Sequence, residues 1–193
     1  MVIKNSRYQI NQDVFLSLDV AADSFFKDKR YNIKDAPKPL DRTGMLNLYT
    51  EILHDYPLFA LEDPLEQNDW GGWAKLRELL PKTTLLVGDD FLTTNQKQLQ
   101  RAIAEKACNA IIVKPNQIGT VTETVALMNL AQANNIYTIV SHRSGETCDT
   151  FAADFAVGLG ASFAKFGAPN RGERVAKYNR LLEIETYLAA SQT

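Results

Sequence analysis

Short apolar runs alternate along this chain with longer stretches in which apolar side chains recur every three or four positions. The short runs are FLSLD (15–19), LFALED (58–63), LLVGDD (85–90), AIIVK (110–114), YTIVSH (137–142) and FAKFG (163–167). Runs of this length, rich in Ile, Val, Leu and Phe, predict strands buried on both faces. The stretches TGMLNLYTEILHDY (43–56), TNQKQLQRAIAEKA (94–107), TVTETVALMNLAQANN (120–135) and GERVAKYNRLLEIETYLAA (172–190) predict helices. Thr43 takes the capping place of the first, and Thr94 or Asn95 that of the second. The polar, proline-containing KDKRYNIKDAPKPLDR (27–42) predicts a long loop or a small hairpin.

Strand–helix alternation implies an α/β fold with a parallel sheet covered by helices. An ionisable residue ends each strand: Asp19, Glu62, Asp89, Lys114, His142 and Lys165. After the first interval these lie 23 to 28 residues apart, the length of single βα units. In a β/α barrel the C-terminal strand ends share one face, and the active site is built there. A closed barrel needs eight strands, whereas six are legible here.

Composition narrows the partners. The 193 residues are 45% apolar and 23% charged, with a net charge of −2 and no basic block or tail. That argues against nucleic acid and anionic membrane as main partners. Apolar runs of four to six residues are too short to span a bilayer. Residues 1–13 hold no apolar signal segment, so a cytoplasmic protein is expected. Cys108 and Cys148 stand in no metal or redox pattern and read as reduced thiols.

Asp19, Glu62 and Asp89 would repel one another if they met at one rim, unless a hard cation joined them. Oxygen ligands without His or Cys suit Mg²⁺ better than Zn²⁺. The alternative is that each carboxylate caps a helix or pairs with an arginine. Lys114 and Lys165 belong to the same set of strand ends. A lysine near a metal and another cation has a depressed pKa and can serve as a base; the alternative is a salt bridge to one of the carboxylates. SHRSGET (141–147) sets His142, Arg143 and Ser144 directly after a strand, which suits a phosphate or carboxylate ligand or, more plainly, a helix cap. Together these residues fit metal-assisted proton abstraction beside a carboxylate on a phosphorylated acid.

The motifs LDVAADSFF, ALEDPLEQNDW, LLVGDD, VKPNQIGTVTET, SHRSGETCDTFAADFAVG and KFGAPNRGERVAKYNRLLEIE resemble enolases (phosphopyruvate hydratases) in order and spacing over essentially the whole chain. That superfamily is the familiar instance of a Lys or His base beside Mg²⁺. The resemblance implies an enolase-type β/α barrel of which only the C-terminal six βα units are present, as one domain over 1–193, without the N-terminal α+β domain and first barrel elements. It implies a lyase that reversibly dehydrates 2-phosphoglycerate to phosphoenolpyruvate in glycolysis, with Mg²⁺ as cofactor. By that resemblance Asp19, Glu62 and Asp89 hold the metal, and Lys114 removes the proton at C2. Lys165 contacts the substrate carboxylate, His142, Arg143 and Ser144 bind substrate and phosphate, and Glu62 also faces the substrate.

Phe166 stands where the family usually has Thr after the second lysine. Neighbouring strand residues point to opposite faces, so a packing change away from the chemistry is expected. The family's glutamates that assist loss of the C3 hydroxyl, its mobile-loop histidine and the Ser loop over the second Mg²⁺ have no counterpart in this sequence. Two outer strand edges are expected at FLSLD and FAKFG, where a second copy or a completing chain would pair. Two other readings stand beside the enolase one. The first is a catalytically inactive fragment or half-barrel that needs a completing chain. The second is a superfamily member acting on another carboxylate, against which SHRSGET and NRGERVAKYN weigh.

Overall fold

The computed structural model describes residues 5–34 and 36–191. The chain is α/β. Its elements run β1 (Leu16–Asp19), a 3₁₀ turn (Ala22–Phe25), β2 (Phe26–Lys27), β3 (Arg30–Tyr31), α1 (Arg42–Asp55), β4 (Leu58–Glu62), α2 (Trp70–Leu79), β5 (Leu85–Gly88) and α3 (Gln96–Glu105). They continue β6 (Ala110–Val113), α4 (Pro115–Ile118), α5 (Val121–Ala133), β7 (Tyr137–Ser141), α6 (Phe151–Gly158), β8 (Phe163–Lys165) and α7 (Gly172–Ala190). Six strands form one sheet in the order β1-β4-β5-β6-β7-β8, and β2 pairs with β3 in an antiparallel hairpin. Pairing of β1 with β4, β4 with β5 and β7 with β8 is parallel.

Contacts divide the chain into two compact units. The first runs to Thr93 and includes Lys97–Ala110; the second holds Thr94–Gln96 and the chain from Ile111 onward.

In the first unit, all four residues of β5 are buried. Trp73 of α2 is fully buried and stacks on Phe91 at 3.9 Å between ring centroids. Helix α1 begins one residue earlier than the periodicity predicts. Its cap is Asp41, which accepts from the Gly44 N–H at 2.9 Å, and not Thr43. The sequence pattern did not single out α2, because WGGW sets two glycines in its first turn. Asp69 caps it, accepting from the Gly72 N–H at 3.0 Å. A Cβ at position 72 would lie 2.5 Å from an Asp69 carboxylate oxygen, so glycine makes room for the cap. Arg42 grips the same carboxylate through Nε at 2.8 Å.

In the second unit, β6 is wholly buried and β7 is buried apart from Tyr137. Burial of both faces is what a parallel strand's continuous apolar run demands. Thr120 caps α5 by accepting from the Glu123 N–H at 3.2 Å, and its hydroxyl donates to the Glu123 side chain at 2.6 Å. Helix α6 (FAADFAVG) has apolar residues on nearly every side, so its sequence carries little helical periodicity. Phe166 is fully buried, with its ring 6.1 Å from that of Tyr178 on α7. The large side chain at this position is therefore spent on helix packing.

The sheet's outer strands are less covered. Leu18 in β1 and Phe163 in β8 are each 37% exposed. Among the described residues, no helix is long and apolar enough to cross a membrane.

Candidate active site

The acidic candidates all belong to the first unit. Asp19 and Glu62 are register partners at the ends of β1 and β4, so their side chains leave the sheet on the same face. Glu62 is buried and Asp19 is exposed. Asp89 follows β5 and is half-buried. The residue that organises this corner is one the sequence reading passed over. Asp63 is 4% exposed and takes a left-handed backbone, with φ at 40°. Its two carboxylate oxygens accept separately from successive backbone amides, Asp89 at 2.9 Å and Asp90 at 2.8 Å.

Asp63 thus holds the strand end that carries Asp89. Burial pushes its carboxyl up to about 7, although both amide N–H groups pull the other way. Oxygen atoms of Asp63, Asp89 and Asp90 lie within 4.8 Å of one another, a spacing that could hold a metal ion. The structure thus brings Asp89 together with Asp63 and Asp90, and Asp19 together with Glu62. The donors are carboxylates only, a set that fits Mg²⁺. The only sequence signal for Asp63 was its place beside Glu62 in the ED dipeptide.

The basic candidates belong to the second unit. Lys114 continues β6 in extended conformation and precedes Pro115, which opens the short α4. Proline fixes φ and lacks an N–H, so the chain turns at that point. Gly119 ends the turn at φ 117°, a conformation that glycine tolerates. The Lys114 backbone N–H donates to Thr94 Oγ1 at 3.1 Å. Thr94 is fully buried, sits at φ 50° and lies 2.8 Å from Gln117 Oε1. A β-branched residue in the left-handed region costs on the order of 1–3 kcal/mol and persists only where its surroundings hold it. Here Lys114 and Gln117 do so.

Ser141 and Lys165 are register partners in β7 and β8. The His142 N–H donates to the Lys165 carbonyl at 3.3 Å, and Ser141 Oγ lies 3.2 Å from that oxygen. Ser141 is therefore the cross-strand neighbour of Lys165, and His142 follows it one residue on, tied to Lys165 through the backbone. Burial holds the His142 imidazole below its ordinary pKa of 6.5, against the pull of Glu146, and Arg174, Lys177 and Lys165 push the same way as burial. Its Nδ1 is buried and has no hydrogen-bond partner among the described residues. Arg143 and Ser144 are exposed on the loop beyond. Arg143 reaches Asn116 Oδ1 at 3.5 Å, on the turn after Lys114. A cleft of about 270 Å³ opens here, lined by Pro115, Asn116, His142, Arg143, Glu146 and Lys177 among others.

Lys114, His142, Arg143, Ser144 and Lys165 therefore all stand at or just beyond the C-terminal ends of β6, β7 and β8. Such a cluster can hold an anionic ligand and offer an amine as a base. Asp63, Glu146 and Lys177 belong to the same neighbourhoods and were not singled out from sequence, and Thr94 was read only as a helix cap, because each acts through contacts that only folding makes.

Residues 1–193 match the family model described as "Enolase, C-terminal TIM barrel domain". The chain is 45% identical over 186 residues to "Enolase 2" of Methanospirillum hungatei JF-1, covering 96% of this chain and 44% of that protein. It is 42% identical over 191 residues to "Enolase 1" of the same organism, covering 99% and 45%. It is 48% identical over 183 residues to "Enolase" of Campylobacter jejuni subsp. doylei, covering 95% and 43%. The chain thus spans less than half the length of these curated relatives. With the family model matched from end to end and the strand ends bearing these groups, the chain belongs to the enolase family.

Proposed function

We propose that this chain carries the proton-abstraction side of enolase chemistry, the reversible dehydration of 2-phosphoglycerate to phosphoenolpyruvate in glycolysis. Lys114 takes the proton from the carbon beside the substrate carboxylate. Lys165 neutralises that carboxylate. His142, Arg143 and Ser144 hold the phosphate. Asp19, Glu62 and Asp89 would hold Mg²⁺, and Asp63 keeps Asp89 in place through the backbone. A Mg²⁺ ion held by these carboxylates would supply a hard positive charge of the kind that stabilises negative charge developing on oxygen.

The observation that carries the reading is the gathering of lysine, histidine and arginine at the ends of three parallel-sheet strands within one unit, with His142 hydrogen-bonded to the backbone of Lys165. Family membership supports the substrate class.

A second reading is favoured by the exposed Leu18 in β1 and Phe163 in β8, the two outer strands. On that reading the chain works only when a completing chain or another copy covers those edges.

The test is the rise in ultraviolet absorbance as phosphoenolpyruvate forms from 2-phosphoglycerate with Mg²⁺ present, for the wild-type chain and for Lys114→Ala. Expected is turnover that the substitution lowers by about 10²–10⁴-fold or more, the usual worth of a positioned base. Turnover that Lys114→Ala leaves intact rejects the assignment of the base. No turnover until the missing barrel elements are supplied in trans selects the second reading.

A further inference from the structure

One buried charge is unexplained by the proton-transfer scheme. Lys177 lies on α7 and is 1% exposed, although lysines are almost never buried without a partner. Its Nζ meets four oxygens: Glu146 Oε2 at 2.6 Å, the carbonyls of Thr147 and Asp149 at 3.1 Å each, and the Glu173 carbonyl at 3.0 Å. An ammonium has three protons, so the set is saturated and one proton is shared. Glu173 is the α7 residue one turn back, which ties the ammonium to its own helix. The other three acceptors belong to the loop that begins at His142.

The path continues from Glu146. Its second oxygen accepts from the Arg143 backbone N–H at 3.0 Å. Arg143 then reaches Asn116, two residues beyond Lys114. Burial alone would raise the Glu146 carboxyl, but the Lys177 ammonium and the Arg143 N–H outweigh it and hold the group below its ordinary value. The loop thus has no regular structure of its own over 142–150, and it is pinned at residues 143, 146, 147 and 149 by one ammonium and its counter-ion.

We propose that Lys177 and Glu146 are positioning residues that fix the loop 142–149 in the form that receives the substrate phosphate. Lys177 touches no reacting atom. It acts by setting the backbone at Arg143, and so the direction from which the guanidinium, the neighbouring Ser144 hydroxyl and the His142 ring meet an anion. A lysine suits the task because three carbonyls and one carboxylate converge on a point, and an ammonium is a point donor where a guanidinium is a flat fork. The inference rests on the phosphate-binding role given to this loop above.

The test uses inorganic phosphate as the probe, titrated against the wild-type chain, Arg143→Ala, Glu146→Gln and Lys177→Met, with backbone amide exchange followed in the same samples. Expected is loss of phosphate binding in Arg143→Ala. Glu146→Gln should weaken binding by about tenfold or more, the size of one charge-assisted hydrogen bond. It should also speed exchange at Arg143 while α5 and β7 stay protected. Lys177→Met should match or exceed that effect where it folds, and Glu146→Gln decides the matter where it does not. If Glu146→Gln binds phosphate as the wild type does while Arg143→Ala fails to bind, the positioning role is overturned and the phosphate loop survives. If Glu146→Gln loosens the whole unit evenly, the pair is a general brace and the proposal also falls. If the wild type binds no phosphate, or Arg143→Ala binds it unchanged, the phosphate reading falls and takes this inference with it.

Discussion

The acidic strand ends of the first unit and the basic strand ends of the second are held by opposite means. In the first, a buried carboxylate, Asp63, is satisfied by backbone N–H groups of Asp89 and Asp90. In the second, a buried ammonium, Lys177, is satisfied by three backbone carbonyls and one carboxylate. The backbone offers both signs of partial charge, so each unit meets a buried side-chain charge with the matching end of the peptide dipole. The difference is the counter-ion. Asp63 has none among its described hydrogen bonds and neighbours two further aspartates, and its carboxyl is pushed up to about 7. Lys177 has Glu146, which is held low. One corner thus gathers carboxylates at a spacing that could hold a cation, whereas at the other the buried ammonium is already paired with a carboxylate and serves as scaffold.

The contrast breaks most visibly at Phe166 and Lys177. Phe166→Thr should cost about 3 kcal/mol or more, since it empties a fully buried ring site and buries a hydroxyl. Urea unfolding would measure it, and phosphate affinity of the folded protein should not change, because the ring packs on Tyr178 of α7. Lys177→Met should cost about 3 kcal/mol by the same assay, at the lower end for a broken buried pair, because the Glu146 side chain it strands keeps 21% exposure.

Smaller effects sharpen the comparison. Asp63→Asn should cost about 1–3 kcal/mol, since the amide nitrogen faces a backbone N–H that now has no acceptor. Amide exchange at Asp89 and Asp90 should quicken first, and Mg²⁺ affinity measured by calorimetry should fall with it. Asp41→Ala removes the α1 cap and an exposed ion pair with Arg30, which adds little, and should cost about 1 kcal/mol, with no effect on either corner.

The acid limb of the stability profile tests Glu146. Its folded carboxyl binds a proton less readily than the unfolded one, whose ordinary value is 4.5. The contribution is therefore complete above that value and is lost as pH falls through the lower, folded value. The difference in urea midpoint between wild type and Glu146→Gln should shrink as pH is lowered past that window. A difference that is constant with pH would mean that Glu146 is not ionised against Lys177.

Much of the fold was legible in the chain. All six sheet strands, the helices α1, α3, α5 and α7 and the turn-rich span before α1 follow from apolar periodicity and turn residues, and the strand ends pointed to the chemistry. Three helices escaped notice, the first of them α4, a single turn too short to show any period. In α2 a glycine pair masks the start, and α6 is apolar on too many sides to show a period. The α1 cap was placed two residues late because Thr43 and Asp41 are both good caps, and only the backbone geometry chooses between them.

What the sequence determined by itself is therefore local: which runs are buried, where they stop, and which ionisable group each one ends with. Tertiary structure decided the supports. Asp63 becomes a bridge only because β4 and β5 are parallel neighbours, which brings its carboxylate to two amides 26 and 27 residues away. Lys177 becomes a clamp only because α7 lies against a loop some 30 residues earlier. Hydropathy marks a lysine or aspartate as exposed, since burying either alone is unfavourable. Only the fold supplies the convergent backbone partners that reverse that preference.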